Sequence, residues 1–196
     1  MPFIHSLPDP SHLSDLYKAF PKNVAPLMDY TDGILRSEGE LSIAQRELIA
    51  TFVSGLNACD FCFQSHLIYA KAFGIEEGVL ESLLVDIESA PVEDKLKPIL
   101  HYVKKLNQLP SRIVAADAEA VYDAGWGEQA LYEAVQVCAL FNMMNRIIEG
   151  TGVNFDYVAN SQVHSIRKDS SADLAHSYAD FGKRVAAMAA EKDQDS

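Results

Sequence analysis

The sequence predicts an all-α protein. Apolar residues recur every three or four positions in most segments, which is the period of an amphipathic helix. No window shows the sustained alternation of apolar and polar residues that is typical of a strand. Prolines and glycines separate the periodic segments. We therefore expect a helical bundle of roughly eight to ten helices.

The first half of the chain contains an arm and four predicted helices. Residues 1–12 hold three prolines and little periodicity, so we expect an extended arm. Ser42 and Gln45 fit a capping box, which places a helix start near residue 43. Gly74 fits the position just after a helix end. The predicted helices span 13–20, 23–36, 43–56 and 58–73, and the last two are joined at Asn57 by a very tight turn.

The second half has longer breaks between its helices. The segment SAPVED, residue Pro110 and the turn Gly125-Trp126-Gly127 each interrupt the periodicity. The run Gly150-Thr-Gly ends a long apolar segment. The predicted helices span 76–87, 94–106, 117–124, 128–149 and 172–191, with one or two further turns within 154–161.

Length and composition favour a single domain. The chain has 196 residues, of which 48% are hydrophobic, enough for a sizeable core. The strongest periodicity lies within about 40–155, so 1–38 and 172–191 are expected to be peripheral. Glu47 precedes Cys59 by twelve residues, and Glu133 precedes Asn145 by the same distance. This weak echo leaves open whether the core consists of two related helical halves.

The charge excludes some classes of partner. The net charge of −12 repels phosphate backbones and anionic lipid surfaces, so we expect neither nucleic-acid nor membrane binding. No apolar run approaches the roughly 18 residues that span a bilayer. The first twelve residues lack the basic and apolar regions of a secretory signal. These features predict a cytoplasmic protein.

The chemistry-bearing stretch runs from Glu47 to His66. Cys59, Cys62 and His66 share one stripe of the predicted helix, and Cys62 and His66 lie one turn apart. Unpaired amides and the positive end of the helix dipole stabilise thiolates in a first helical turn. A histidine one turn away can accept or donate the thiol proton. The spacing therefore predicts a reactive dithiol centre.

Glu47 lies on the preceding helix, on a face of small residues. Small side chains let two helices approach closely, so we expect Glu47 to face the Cys59 thiol directly or through a water molecule. The residues that share this face are Ala44, Ala50, Thr51 and Ser54.

Two other readings of the cysteines are weighed beside the reactive one. Cys59 and Cys62 could simply fill the core, or they could bind zinc with His66. A closed zinc site would need a fourth ligand from elsewhere in the chain. Cys138, in the apolar run VQVCALF, fits a buried core thiol.

The remaining polar and aromatic residues of note favour structural roles. His101 fits a partly buried helix histidine. Trp126 is expected to anchor the core, and Met143 and Met144 to lie in the core or at an interface. A polar stripe on the long helix fits a hydrogen-bonded buried network or an oligomer contact better than a wall of a substrate pocket. Its members are Asn142, Asn145, Arg146 and Glu149; no partner is evident for His5, His12, His164 or His176.

The pattern E-x11-C-x2-C-x3-H, followed by FNMMNRIIEGTG over 141–152, resembles the carboxymuconolactone decarboxylase superfamily. It is most similar to the alkylhydroperoxidase AhpD-like branch, and within it to the peroxidase-related subgroup. The resemblance implies an all-helical homo-oligomer that reduces hydroperoxides without a cofactor or metal. It implies that Cys62 is the peroxidatic thiol and Cys59 the resolving thiol, with His66 and Glu47 as the proton relay. The implied reductant is a dithiol, such as a lipoylated protein.

Phe61 departs from the family pattern. Well-characterised AhpD enzymes carry a histidine directly before the second cysteine, so the relay here lacks a member. The helix dipole favours Cys59 as the thiolate, whereas the resemblance and the nearby His66 favour Cys62. Three alternatives to a peroxidase stay open: a dithiol–disulfide oxidoreductase, a redox-responsive oligomer and a carboxymuconolactone-type decarboxylase. The dithiol argues against the last of these.

Overall fold

The computed structural model describes residues 1–160 and 177–194, and it describes side chains as far as residue 191. The described residues form nine α-helices and two short 3-10 helices, Asp94–Leu96 and Pro110–Arg112, and contain no strand. The predicted all-α class is confirmed. The α-helices are α1 (Leu13–Ala19), α2 (Val24–Arg36), α3 (Ile43–Leu56), α4 (Asp60–Ala72), α5 (Val79–Val85), α6 (Lys97–Gln108), α7 (Ala115–Asp123), α8 (Glu128–Thr151) and α9 (Ser177–Gln194).

The described residues fall into two compact units. One comprises residues 1–37 with the described residues from 147 onward, and the other comprises 38–146. None of the described helices is long and apolar enough to cross a membrane.

In the first unit, α2 packs on α9. A Cβ at Gly182 would lie 2.8 Å from Met28 Cβ, so glycine permits this close approach. The predicted C-terminal helix is confirmed over 177–191 and continues to residue 194. Residues 172–176, with His164 and His176, lie outside the described residues.

The N-terminal arm was predicted to be extended, but it makes turns and hydrogen bonds instead. The Phe3 amide donates to Thr151 O at 3.0 Å, and the Ser11 amide donates to Asn154 Oδ1 at 2.9 Å. These bonds hold the arm against the segment that follows α8. The predicted turn within 154–161 is present, since the Asn160 amide donates to Asp156 O at 3.1 Å.

His12 has partners that the sequence did not reveal. It is the N-cap of α1, and its Nδ1 accepts from the Ser14 amide at 3.0 Å. Its Nε2 lies 2.7 Å from the Tyr157 hydroxyl. The expectation that His12 has no partner was therefore wrong.

In the second unit, α3 is the central helix. Every residue from Arg46 to Ser54 is buried, and α3 packs against α4, α5 and α6. The buried Arg46 guanidinium donates to Leu41 O through Nε and NH2 at 3.0 and 2.7 Å. The Ser42–Gln45 capping box is confirmed, and α3 has the predicted bounds.

Side-chain caps decide where two helices begin. The Asp117 carboxylate accepts from the Val114 amide at 2.7 Å, so α7 starts two residues before the predicted position. The Glu40 carboxylate accepts from the amides of Gly127 and Ala130, at 2.7 and 3.2 Å, at the N-terminus of α8. A carboxylate there satisfies amides that the helix itself leaves unpaired.

Other helix ends differ by a few residues from the predictions. α5 begins only after Gly78, whose φ of +82° is left-handed, and not at residue 76. α6 continues to Gln108, and a 3-10 turn precedes it. α8 continues through Gly150 to Thr151 and ends at Gly152, which has a φ of +71°.

The junction of α3 and α4 is a Schellman motif. The Cys59 amide donates to Ser54 O and the Ala58 amide donates to Gly55 O, both at 3.0 Å. Ala58 adopts a φ of +51°, the left-handed position that glycine usually occupies. The predicted helix 58–73 therefore begins two residues later, at Asp60, with Cys59 as its N-cap. One short motif thus ends α3 and delivers Cys59 to the start of α4.

We predict that Ala58→Gly stabilises the protein by about 1 kcal/mol, because an alanine costs about 1–2 kcal/mol in the left-handed region and glycine does not. Urea unfolding measures the change. Ala58→Val, which adds a branched Cβ at the same position, is the opposing control and should destabilise. A lower midpoint for Ala58→Gly would show that the junction does not hold a left-handed residue in solution.

Candidate active site

The two cysteines of the predicted centre lie at the start of α4. Cys59 is the N-cap and Cys62 is the third residue of the helix, so both are at its positive end. Both are thiols, and both are buried; Cys59 has no exposed surface and Cys62 is 4% exposed. The structure thus gives Cys62 the greater access to solvent.

His66 and Glu47 form a buried pair behind the cysteines. His66 Nδ1 lies 2.7 Å from Glu47 Oε2, and the Glu47 side chain is wholly buried. Glu47 thus points away from bulk solvent, as its predicted role requires. The partner that the structure gives it is His66, whereas direct contact with Cys59 stays a prediction.

The pair links the imidazole to a carboxyl group. An ionised carboxylate can only accept, so with Glu47 in that form the hydrogen of this contact lies on Nδ1 of His66. The rings of His66 and of Phe141 on α8 also meet in a T-shaped contact, with their centroids 4.5 Å apart. The hydrogen bond and the ring contact together restrict the orientation of His66.

Phe61 occupies the place where the family pattern has a histidine. Its side chain is buried at the start of α4. A phenyl group neither accepts nor donates a proton, so the titratable groups that this motif contributes are Cys59, Cys62, His66 and Glu47.

Comparisons with known proteins show what this segment is similar to. Residues 21–91, which include Glu47, Cys59, Cys62 and His66, match the model of the carboxymuconolactone decarboxylase family. A search of curated proteins found no significant match.

Solved structures extend the likeness to most of the chain. Two uncharacterized peroxidase-related proteins each align with 71% of this chain and 73% of their own. The one from a Silicibacter species is 23% identical with a TM-score of 0.66, and the one from Ralstonia eutropha, with an alkylhydroperoxidase AhpD core, is 20% identical with a TM-score of 0.67. An Agrobacterium tumefaciens protein of unknown function, which carries the name AhpD and a suggested antioxidant defence role, aligns over 71% of this chain and 94% of its own at 20% identity and a TM-score of 0.60. The AhpD-like fold predicted from the sequence is confirmed.

The polar stripe of α8 belongs to a hydrogen-bond network that reaches the α3–α4 junction. Asn145 accepts from Asn57 Nδ2 at 2.9 Å and donates to Ser54 Oγ at 3.2 Å. Asn142 donates to Asn107 Oδ1 at 2.6 Å and accepts from Arg146 at 2.7 Å. The predicted hydrogen bonds are present for these three stripe residues, but of them only Asn145 is buried; Asn142 is half-buried, and Arg146 is exposed, as is Glu149.

Sequence reasoning missed the other half of this network. Asn57 appeared only as the point where two helices join, and Ser54 only as a small residue. Asn107 lies on α6 and drew no attention. The one usable signal was the run of amides on α8, since buried amides require partners of complementary polarity.

Three further predictions can be compared with the structure. Trp126 is buried, and its Nε1 donates to Lys95 O at 2.7 Å, which confirms the core anchor. Met144 is buried, whereas Met143 is 40% exposed. His101 was expected to be partly buried, and this was wrong. It is exposed on the outer side of α6, where its Nε2 lies 2.6 Å from Glu88 Oε1.

The structure also bears on metal binding and cavities. Among the described residues, no group of three His, Cys, Asp or Glu side chains is arranged to hold a metal ion. A groove of about 560 Å³ between α6 and α7 is lined by residues such as Tyr102 and Lys104. A hollow of about 350 Å³ in the first unit is lined by residues such as Tyr17 and Leu27. Neither of these two hollows is lined by the dithiol residues.

Cys138 is a buried core thiol, as predicted. Its Sγ lies 4.0 Å from Val103 O, and burial raises its pKa to about 11, against a smaller opposing effect of Asn142. The thiol therefore keeps its proton in the folded protein at pH values where the unfolded chain has lost it.

We predict that this protonated thiol makes stability fall at high pH. The contribution of Cys138 is fully present below pH 9 and is lost as the pH rises through about 11, because the pKa is raised in the folded state. The loss amounts to roughly 2–3 kcal/mol over that window. Urea unfolding at several pH values should show a shallower decline for Cys138→Ala than for the wild type. Parallel curves would contradict the raised pKa.

Proposed function

We propose that this protein is a thiol-dependent hydroperoxide reductase of the AhpD type, acting through Cys59 and Cys62. The observation that carries the proposal is the buried His66–Glu47 pair, one helical turn after Cys62. A structural dithiol has no use for an oriented imidazole on the same helix face. A peroxidase needs one, because thiolate attack and alkoxide departure both move protons.

The proposed reaction consumes one hydroperoxide for each pair of thiols. The Cys62 thiolate attacks the outer oxygen of the O–O bond, which breaks to release an alcohol after protonation and leaves a sulfenic acid. The Cys59 thiol then attacks the Cys62 sulfur, forming the disulfide and releasing water. Two electrons pass from the thiols to the peroxide, and a dithiol reductant returns them by thiol–disulfide exchange.

The assignment of Cys62 as the attacking thiol is supported by access and by reach. Cys62 retains some exposed surface, whereas Cys59 has none. Cys62 also lies four residues before His66, the spacing that brings side chains together on a helix. Cys59, whose backbone amide donates a hydrogen bond to Ser54 O, suits the resolving thiol that attacks the sulfenic acid.

His66 and Glu47 would move the proton. Nε2 of His66 would take the proton of the Cys62 thiol and return it to the departing alkoxide. Glu47 would stabilise the imidazolium that forms between these steps, because a buried carboxylate next to a charged imidazole offsets its desolvation. The small residues Ala50, Thr51 and Ser54 let α3 bring this carboxylate close to α4.

The wider biological setting is part of the proposal. By resemblance, the enzyme would be a homo-oligomer in the cytoplasm, reduced by a dithiol such as a lipoylated protein. The names of the structural neighbours, peroxidase-related and antioxidant defence, support a peroxide-linked role.

Phe61 favours a second candidate function. A buried phenyl group stands where AhpD enzymes have a relay histidine, so the dithiol could exchange with disulfides and turn over peroxide slowly. This dithiol–disulfide oxidoreductase would use the same Cys59 and Cys62 but would not need a leaving alkoxide to be protonated.

We predict that the wild type reduces cumene hydroperoxide with dihydrolipoamide as reductant, and that Cys62→Ser abolishes turnover. Glu47→Gln should lower the rate by about 10²-fold, the usual scale of a lost acid–base contribution. Cys138→Ala is the matched control and should retain activity, because its thiol is buried in the core. Peroxide consumption is followed directly, with hydrogen peroxide as a second substrate.

The outcomes separate the two candidates. Absence of turnover, together with a Cys59–Cys62 disulfide that forms and is reduced by dihydrolipoamide, would reject the peroxidase in favour of disulfide exchange. In that case Phe61→His should introduce peroxide turnover.

We also predict that a dimedone-type probe traps sulfenic acid on Cys62. In Cys59→Ser the resolving thiol is missing, so peroxide should give a labelled Cys62 detectable by mass spectrometry. Cys62→Ser should give no label. Labelling that persists in Cys62→Ser and vanishes in Cys59→Ser would reverse the roles of the two thiols.

A further inference from the structure

A continuous chain of side-chain hydrogen bonds runs through the second unit to the junction that carries Cys59. It begins at the exposed Arg146, and its later members lie on α3, α6, α8 and the α3–α4 junction. In order, the chain comprises Arg146, Asn142, Asn107, Asn57, Asn145 and Ser54, joined at 2.7, 2.6, 2.9, 2.9 and 3.2 Å. We call these six residues the amide chain.

The amide chain has a single direction. Arg146 can only donate, so it faces Asn142 Oδ1, and the Asn142 amide nitrogen then faces Asn107. At the other end, Ser54 Oγ donates to Ala50 O at 2.9 Å and therefore accepts from Asn145. Every bond points the same way, starting at a cation, so each polarises the next.

The amide chain holds the Schellman junction on two sides. Asn57 is the C-cap of α3, directly before the left-handed Ala58. Its Oδ1 accepts from Asn107 on α6, and its Nδ2 donates to Asn145 on α8. A left-handed alanine persists only where the surrounding structure fixes it. Asn57 is the point at which two neighbouring helices fix this one.

The last member of the chain also touches the backbone of Cys59. Ser54 O accepts from the Cys59 amide at 3.0 Å, while Ser54 Oγ accepts from Asn145. Cys59 is therefore held in two ways: its own amide bonds to Ser54 O, and Asn57, two residues before it, is fixed by the amide chain. The chain acts on where the backbone of Cys59 is held.

We propose that Asn57 is the positioning residue of the dithiol, and that the amide chain sets how readily Cys59 and Cys62 form a disulfide. This inference rests on the proposed role of the two cysteines as a redox pair. A held Cys59 keeps its thiol at a high effective concentration near Cys62. A loosened junction lets Cys59 sample other positions, so the disulfide becomes less stable relative to the dithiol.

The experiment measures the equilibrium between the Cys59–Cys62 dithiol and oxidised dithiothreitol. Two electrons and two protons pass from the protein thiols to the reagent, and the protein disulfide forms. Samples at several reagent ratios are quenched by alkylation, and mass spectrometry gives the oxidised fraction. The equilibrium constant for disulfide formation should fall about threefold or more in Asn57→Ala and in Asn107→Ala. Each variant loses two side-chain hydrogen bonds of the amide chain, and the loss of one such bond changes an equilibrium constant by roughly this factor.

Arg146 supplies a test that leaves the core intact. It is exposed, so Arg146→Met should fold and should lower the same constant by a smaller factor, because the chain loses its cationic donor. Arg146→Lys keeps a charged donor and should restore the wild-type value. Trp126→Phe is the matched control: it removes the bond to Lys95 O in the same unit and should leave the constant unchanged.

The result that overturns the proposal is an unchanged constant in both Asn107→Ala and Arg146→Met, even where stability has fallen. These two variants decide the question if Asn57→Ala does not fold. The assay uses no peroxide, so it is separate from the proposed activity. Shifted constants without peroxide turnover would reject the peroxidase and keep this inference; turnover with unshifted constants would do the reverse. A wild type that forms no Cys59–Cys62 disulfide would reject both.

Discussion

The left-handed turn at Ala58 is the constraint on which the site depends. Because the Schellman bonds to Ser54 and Gly55 turn the chain sharply, only three residues separate the end of α3 from the start of α4. The two helices then pack against each other. This packing brings Glu47, nineteen residues away in sequence, within 2.7 Å of His66.

The buried ionisable side chains Arg46 and Glu47 of the second unit each have polar partners. Glu47 faces His66, and Arg46, its neighbour in sequence, points elsewhere and donates twice to Leu41 O. The Glu133 carboxylate accepts from the Leu41 amide at 2.8 Å and lies 3.8 Å from Arg46 Nε. Removing water from a charge is costly unless partners replace it. Adjacent residues of α3 thus make different contacts: Glu47 bonds to the candidate site residue His66, and Arg46 fastens the segment before the helix.

The three cysteines of this chain differ in their surroundings, and the proposed chemistry depends on that difference. Cys138 has the same thiol as Cys62, but it lies within a helix, in an apolar core, where burial raises its pKa to about 11. Cys59 and Cys62 lie at a helix start beside a histidine with a carboxylate partner. The contrast separates a packing thiol from a candidate nucleophile by their surroundings alone.

The sequence by itself determined the helical class, most helix positions and the four residues of the candidate site, because local spacing and helix periodicity carry that information. The residues alone did not reveal that His66 bonds directly to Glu47, which the resemblance gave only as a shared proton relay, that Asn57 is held by Asn107 and Asn145, or that Glu40 caps α8. Each of these contacts joins residues that are distant along the chain, so local spacing does not predict it. Nor could it place Cys59 outside the helix, since a left-handed alanine leaves no mark in the sequence where a glycine would. Tertiary packing decided those points, because it alone determines which polar groups lose water and must find one another.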